Sequence, residues 1–138
     1  MTRTEALKEL IRLGERSHAY WDRELPKRHP KWPLIQAGED SGPPPPEDAE
    51  IRNVLEALPD EDLFLLCLLM YVGRGDFDLD HLKAAYRRTR DTLPGRELAI
   101  DQMLGQPALS EYLTEAWDEV QKRHIDLDSL SFVASTIN

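Results

Sequence analysis

Cysteine, positive charge and long apolar runs are all scarce in this sequence of 138 residues, and each scarcity removes a class of protein. A single cysteine, Cys67, cannot close an internal disulfide, so nothing in the chain demands an oxidising compartment. It lies inside the most apolar stretch and reads as a buried thiol that packs like a small hydrophobe, not as a nucleophile. Lys and Arg number 17 against 26 Asp and Glu, for a net charge of −9 and a pI near 4.9. Nucleic acids and anionic membranes select for clustered positive charge, so neither is expected as a partner. The longest uninterrupted apolar run, Leu63 to Val72, is half of what spans a bilayer. The N-terminus is amphipathic and charged, unlike the basic head and apolar block of a signal peptide. These features predict a soluble, cytoplasmic protein.

No segment alternates apolar and polar residues, and no Asn-Gly hairpin signal or internal repeat is present. Apolar spacing is helical almost throughout. A first helix is expected from about Thr4 to Trp21, with Leu7, Leu10, Ile11, Gly14, His18 and Trp21 on one stripe and Ala6, Leu13 and Tyr20 widening it. Pro26, Pro30 and Pro33 then predict a break. Residues 26–46, which include Gly38, Gly42 and the run Pro43 to Pro46, read as a semi-stiff connector. Its basic end, residues 23–31, reads as the one basic cluster of the chain. Residues 1–33 carry a net charge of +3 and residues 34–138 one of −12.

Helical spacing resumes after Pro46. Ile51, Val54, Leu55 and Leu58 form one stripe, and Pro59-Asp60-Glu61-Asp62 opens a second helix with acids in its first turn. The Leu63–Val72 helix is apolar all round and so belongs at the centre of a bundle, closed by Gly73-Arg74-Gly75. Asp78 reads as the next cap, with Phe77 and Leu82 placed as a hydrophobic staple. A short helix from Thr92-Leu93-Pro94 ends at Gly105. A longer one follows Pro107, with Leu109, Tyr112, Leu113, Ala116, Trp117 and Val120 on one side. Asp126 or Asp128 caps a terminal helix carrying Leu130, Val133 and Ala134. The expected fold is all-α: residues 1–25 as an N-terminal amphipathic helix, 26–46 as a Pro-rich linker, and 47–138 as a compact bundle, making about six helices in all.

Residues with chemical potential are few. Asp76-Phe77-Asp78-Leu79-Asp80 starts like a calcium loop, but His81 stands where the turn needs Gly and Arg87 where a closing Glu belongs. Helix capping is the expected use of these acids. Arg74 and Asp76 are candidate ligand or partner contacts, because glycines flank the arginine and leave its guanidinium free to face an anion or another chain. His18 lacks a second ligand at helical spacing. No Ser-His-Asp elbow, P-loop, GxGxxG or HExxH occurs. Accordingly no catalytic residue, cofactor or metal ligand is assigned.

Residues 51–120 resemble a bacterial family catalogued as domain of unknown function 3775. The likeness rests on two blocks. The first joins Pro59-Asp60-Glu61-Asp62 and the apolar helix to its exit, Tyr71-Val72-Gly73-Arg74-Gly75-Asp76. The second is Met103-Leu104-Gly105-Gln106-Pro107-Ala108-Leu109 with Tyr112-Leu113. The sequence departs from that family after Leu113 and carries Tyr71 where Trp is expected. The resemblance implies small helical proteins without an established activity.

The function expected on these grounds is a non-enzymatic protein-interaction or regulatory module. The alternative is a small enzyme or anion binder using Arg74 and nearby carboxylates. The N-terminal stripe, with Leu7, Leu10, Leu13, Tyr20 and Trp21 as the candidate interface, is expected to dock on a protein partner or on a second copy as a homodimer. Burying side chains of this kind contributes on the order of 10 kcal/mol before ordering costs.

Overall fold

The structure is a computed structural model that describes residues 1–28 and 46–132. It holds six α-helices and no strand among the described residues: α1 Arg3–Arg28, α2 Pro46–Glu56, α3 Asp60–Arg74, α4 Leu82–Thr92, α5 Arg96–Leu104 and α6 Leu109–Lys122. Two 3-10 turns, Leu79–His81 and Leu127–Ser129, follow α3 and α6. No helix among the described residues is long and apolar enough to cross a membrane.

The uniform apolarity of α3 decides the architecture. Every residue from Leu63 to Met70 is at most 1% exposed, so α3 must be covered on all sides. Helices α4, α5 and α6 pack directly on it, and α6 does so most extensively. Helix α6 buries Leu109, Leu113, Ala116 and Val120, a stripe at helical spacing, and exposes Glu111, Glu115 and Asp118. Helix α1 lies against α2 and α6. It runs antiparallel to α6, since Gly14 meets Ser110 while Lys8 lies 5.4 Å over the Trp117 ring.

The start of α1 is set by a reciprocal cap. The Thr2 amide donates to Glu5 Oε1 at 2.8 Å, and the Glu5 amide donates to Thr2 Oγ1 at 3.1 Å. Two of the first turn's orphan donors are thereby satisfied within Thr2-Arg3-Thr4-Glu5. A third, the Thr4 amide, donates to Asp128 Oδ1 at 3.1 Å. Arg3 is 7% exposed and ties together three separate pieces of chain. Its Nε donates to Asp62 Oδ1 and its Nη2 to Glu61 Oε1, both at 2.6 Å. Its Nη1 donates to the carbonyls of Leu127 and Leu130 at 2.8 and 2.6 Å. Glu61 Oε2 in turn accepts from the Phe132 amide at 2.7 Å. The rigid fork of arginine suits this site because its donors diverge in one plane.

Several expectations are corrected. Helix α1 continues through Pro26 to Arg28 instead of stopping near Trp21. A proline in the last turn forfeits a single backbone bond and leaves the preceding turns intact. Leu7 and Leu10 are 0% exposed and Leu13 is 1% exposed, all within this one chain. Within this chain the stripe lies in the seam between α2 and α6. Tyr20 is half-buried, with Arg23 5.9 Å from its ring centroid. The side chain of Trp21, the connector from 29 to 45, and Val133 and Ala134 lie outside the described residues. Helix α5 starts at Arg96 with Gly95 as its cap, later than Thr92-Leu93-Pro94 suggests.

Candidate functional site

The exit of α3 combines a tight helix stop with a row of aromatic and cationic side chains. Gly75 has φ of 94°, which a side chain disfavours, and its amide donates to the Val72 carbonyl at 3.0 Å. The Asp76 amide donates to the Tyr71 carbonyl at 2.9 Å. These paired bonds form a Schellman closure, which satisfies two orphan carbonyls and fixes the direction in which Arg74 leaves the helix.

Arg74 and Asp76, the two candidate contact residues, come together: Nε lies 3.2 Å from Asp76 Oδ2. The Arg74 guanidinium also lies 5.4 Å over the ring of Tyr71. Tyr71 meets Phe77 edge-to-face, with centroids 6.0 Å apart and planes at 82°. Arg88, on α4, lies 5.7 Å over Phe77. The result is a continuous surface row, Arg74–Tyr71–Phe77–Arg88, with an exposed cation at each end. Burial raises the Tyr71 phenol above its ordinary value; the neighbouring Arg74 and a hydrogen bond with Gln102 oppose that rise. Tyr71 is thus held as a neutral, half-buried platform.

The acids after α3 do not converge. Asp76 turns to Arg74, Asp78 accepts from the Asp80 amide at 2.9 Å, and Asp80 pairs with Arg123 at the end of α6. Asp78 thereby caps the 3-10 turn that leads into α4, and its Oδ1 lies 3.4 Å from His81 Nδ1. No group of three His, Cys, Asp or Glu residues suited to a metal is found among the described residues. Cys67 is fully buried in α3, and loss of solvent pushes its thiol up to about 12. His18 is exposed on α1.

The acidic lead of α3 serves the fold. Asp60 pairs with Arg96, whose Nη2 also donates to the carbonyls of Glu56 and Leu58 at 3.1 and 2.9 Å. Glu61 and Asp62 hold Arg3. One three-acid turn thus anchors two arginines, from α1 and α5, and Arg96 also closes the end of α2.

Sequence reasoning missed Arg3 and Arg96, whose partners are distant along the chain. It also missed a second basic region. Helix α4 carries Lys83, Arg87, Arg88 and Arg90 against the single acid Asp91, and the adjacent residues Arg87-Arg88-Thr89-Arg90 were a legible signal for it.

Residues 48–121 match a family described as protein of unknown function, DUF3775. The match covers more than half of the chain. The chain belongs to this family. The DUF3775 region runs from the first turn of α2 to the last turn of α6. It contains the whole Arg74–Tyr71–Phe77–Arg88 row, Asp60 and Arg96. Arg3 and the carbonyls of Leu127 and Leu130 lie outside it, so the latch on Glu61 and Asp62 is supplied by flanking chain. No curated protein and no solved structure matches the chain.

Proposed function

We propose that the chain is a non-catalytic helical interaction module whose contact surface is the Arg74–Tyr71–Phe77–Arg88 row. The observation that carries this reading is the mounting of two surface guanidinium groups on an edge-to-face aromatic pair. Arginine and aromatic side chains dominate binding energy at protein interfaces, and a cation already positioned over a ring loses less freedom on docking. The groups that could do covalent or acid–base chemistry have structural employment instead. Cys67 is sealed in the core, Asp78 caps a turn, and Asp60 and Asp80 are each paired with arginine. A buried free thiol also suits a reducing, cytoplasmic setting.

A second reading, an anion binder centred on Arg74, draws on the same geometry, since Arg74 is exposed and its contact with Asp76 is made through Nε. A homodimer through Leu7, Leu10 and Leu13 would take the form of α1 exchange, because those side chains are covered in cis.

The test is affinity capture with the full chain in an extract of the native host, followed by mass spectrometry. A reproducible protein prey, competed by untagged chain, supports the interaction module. A chain that captures nothing above control but binds a small anion supports the second reading.

A further inference from the structure

Helix α4 is a basic ridge on a protein whose net charge is −9. Lys83, Arg87 and Arg90 follow one another at i, i+4 and i+7, so they share a face, and all three are exposed. None has an ion-pair partner among the described residues, whereas Arg3, Arg52, Arg96 and Arg123 each hold at least one carboxylate. Lys83 and Arg87 sit one turn apart as like charges, a spacing that costs a helix a few tenths of a kcal/mol. Arg90 is preset: its guanidinium lies 4.2 Å from the Phe64 ring centroid and its Nη1 donates to the Tyr86 hydroxyl at 3.2 Å, while the residue remains exposed. Asp91, the one acid on the helix, stands one turn after Arg87 at i+4 and forms no ion pair with it.

We infer that this ridge docks a short acidic peptide segment of a partner protein, with carboxylates facing Lys83, Arg87 and Arg90. Three observations select that occupant. The ridge rises about 10 Å from Lys83 to Arg90, too long for one phosphate and matched to acids spaced along a helical or extended peptide. The three cations are separated by side-chain steps that carboxylates on a partner helix reproduce at i, i+4 and i+7. The chain as a whole carries a net charge of −9, so a long polyanion such as a duplex would meet like charge beyond the ridge where a short segment would not. The inference rests on the interaction reading and names the partner's chemistry at a second face.

The probe is a short fluorescent glutamate-rich peptide, titrated by anisotropy into the full chain at about 0.1 M and about 1 M salt, where the Debye length falls from ~10 to ~3 Å. The expected result is binding at the lower salt that is lost at the higher. Lys83→Gln/Arg87→Gln, whose native side chains make no internal ion pair, weakens binding about tenfold. Arg12→Gln/Arg16→Gln, which removes the same charge from α1, leaves it unchanged. Circular dichroism melts show that each variant is folded. No binding at the lower salt, equal loss in both variants, or tighter binding of inorganic phosphate or an oligonucleotide overturns the inference. Loss only in Arg74→Ala/Arg88→Ala also overturns it while supporting the proposed contact row, so the two readings fail separately.

Discussion

Gly73 of α3 and Tyr112 of α6 touch through their backbones: a Cβ on Gly73 would lie 2.7 Å from the Tyr112 Cα and overlap its carbonyl. Nothing but hydrogen fits between the two helices there. Because α6 is the main cover of α3, this contact sets how closely the two can lie. A clash with backbone cannot be relieved by a rotamer change, so Gly73→Ala must separate the helices. It is expected to cost at least about 3 kcal/mol, at the upper end of overpacking effects. Gly75→Ala meets open space and carries only the strain of its positive φ, about 1 kcal/mol. Urea midpoints of the two variants, measured side by side, check the order.

Arg3 predicts a long-range effect of an N-terminal substitution. Arg3→Ala leaves Glu61 and Asp62 without their shared cation, and two carbonyls lose a donor. Breaking one side of a largely buried ion pair costs about 3 kcal/mol. Arg3→Lys cannot reproduce four bonds in one plane and is expected to recover less than half of that. Hydrogen exchange should speed up at the Phe132 amide in both variants, because Glu61 anchors it. Unchanged exchange there contradicts the latch.

Two carboxylates give opposite acid responses. The Thr2 backbone and side-chain hydrogen bonds hold Glu5 below its ordinary value. A depressed carboxylate stabilises above its unfolded value, and that help is lost as pH falls through the folded one. Asp48 is raised, first by burial, with the Ser17 hydroxyl opposing and Glu47 adding to the rise. Its ionised form is disfavoured in the fold, so that penalty disappears as pH falls through the raised value. Glu5→Gln should flatten the acid loss of stability. Asp48→Asn should help at neutral pH and have no effect once Asp48 is protonated. Thermal melts from neutral pH to about pH 3 test both signs.

The contact row should be separable from the fold. Arg74→Ala/Arg88→Ala removes two exposed cation–π contacts, each worth about 0.5–1 kcal/mol, and one surface ion pair. A stability loss of only about 1–2 kcal/mol is expected, with an unchanged far-ultraviolet circular dichroism spectrum.

What the sequence made legible was local. Leu63 to Met70 reads as central because no face of it can meet water. Asp78 and Gly75 announce a cap and a stop by residue type alone. The Leu109–Val120 stripe declares its inner face through spacing. The rest depends on distance. An arginine at a helix start reads as solvated, and only the folded chain brings Asp62, Leu127 and Leu130 around Arg3. An amphipathic stripe tells which side of α1 is buried but not which elements it meets, and in this chain those are α2 and α6. The aromatic row joins Tyr71 and Phe77 to Arg88 across a loop, so periodicity within α3 or α4 alone could not reveal it.

A monomer is proposed from the burial of α1: with Leu7, Leu10 and Leu13 covered in cis, a second copy must displace a helix that is covalently attached to its own bundle. Light scattering is expected to give a monomer at micromolar concentration. A dimer there that survives Lys83→Gln/Arg87→Gln but vanishes on deletion of residues 1–25 would establish α1 exchange instead.

The central claim is that a protein partner is bound through the mounted arginines. It is tested most directly by titrating the captured partner into the wild-type chain and into Arg74→Ala/Arg88→Ala by isothermal calorimetry. The predicted result is binding at least about tenfold weaker for a variant that melts within a few degrees of wild type. Equal affinity for the two chains would contradict the account.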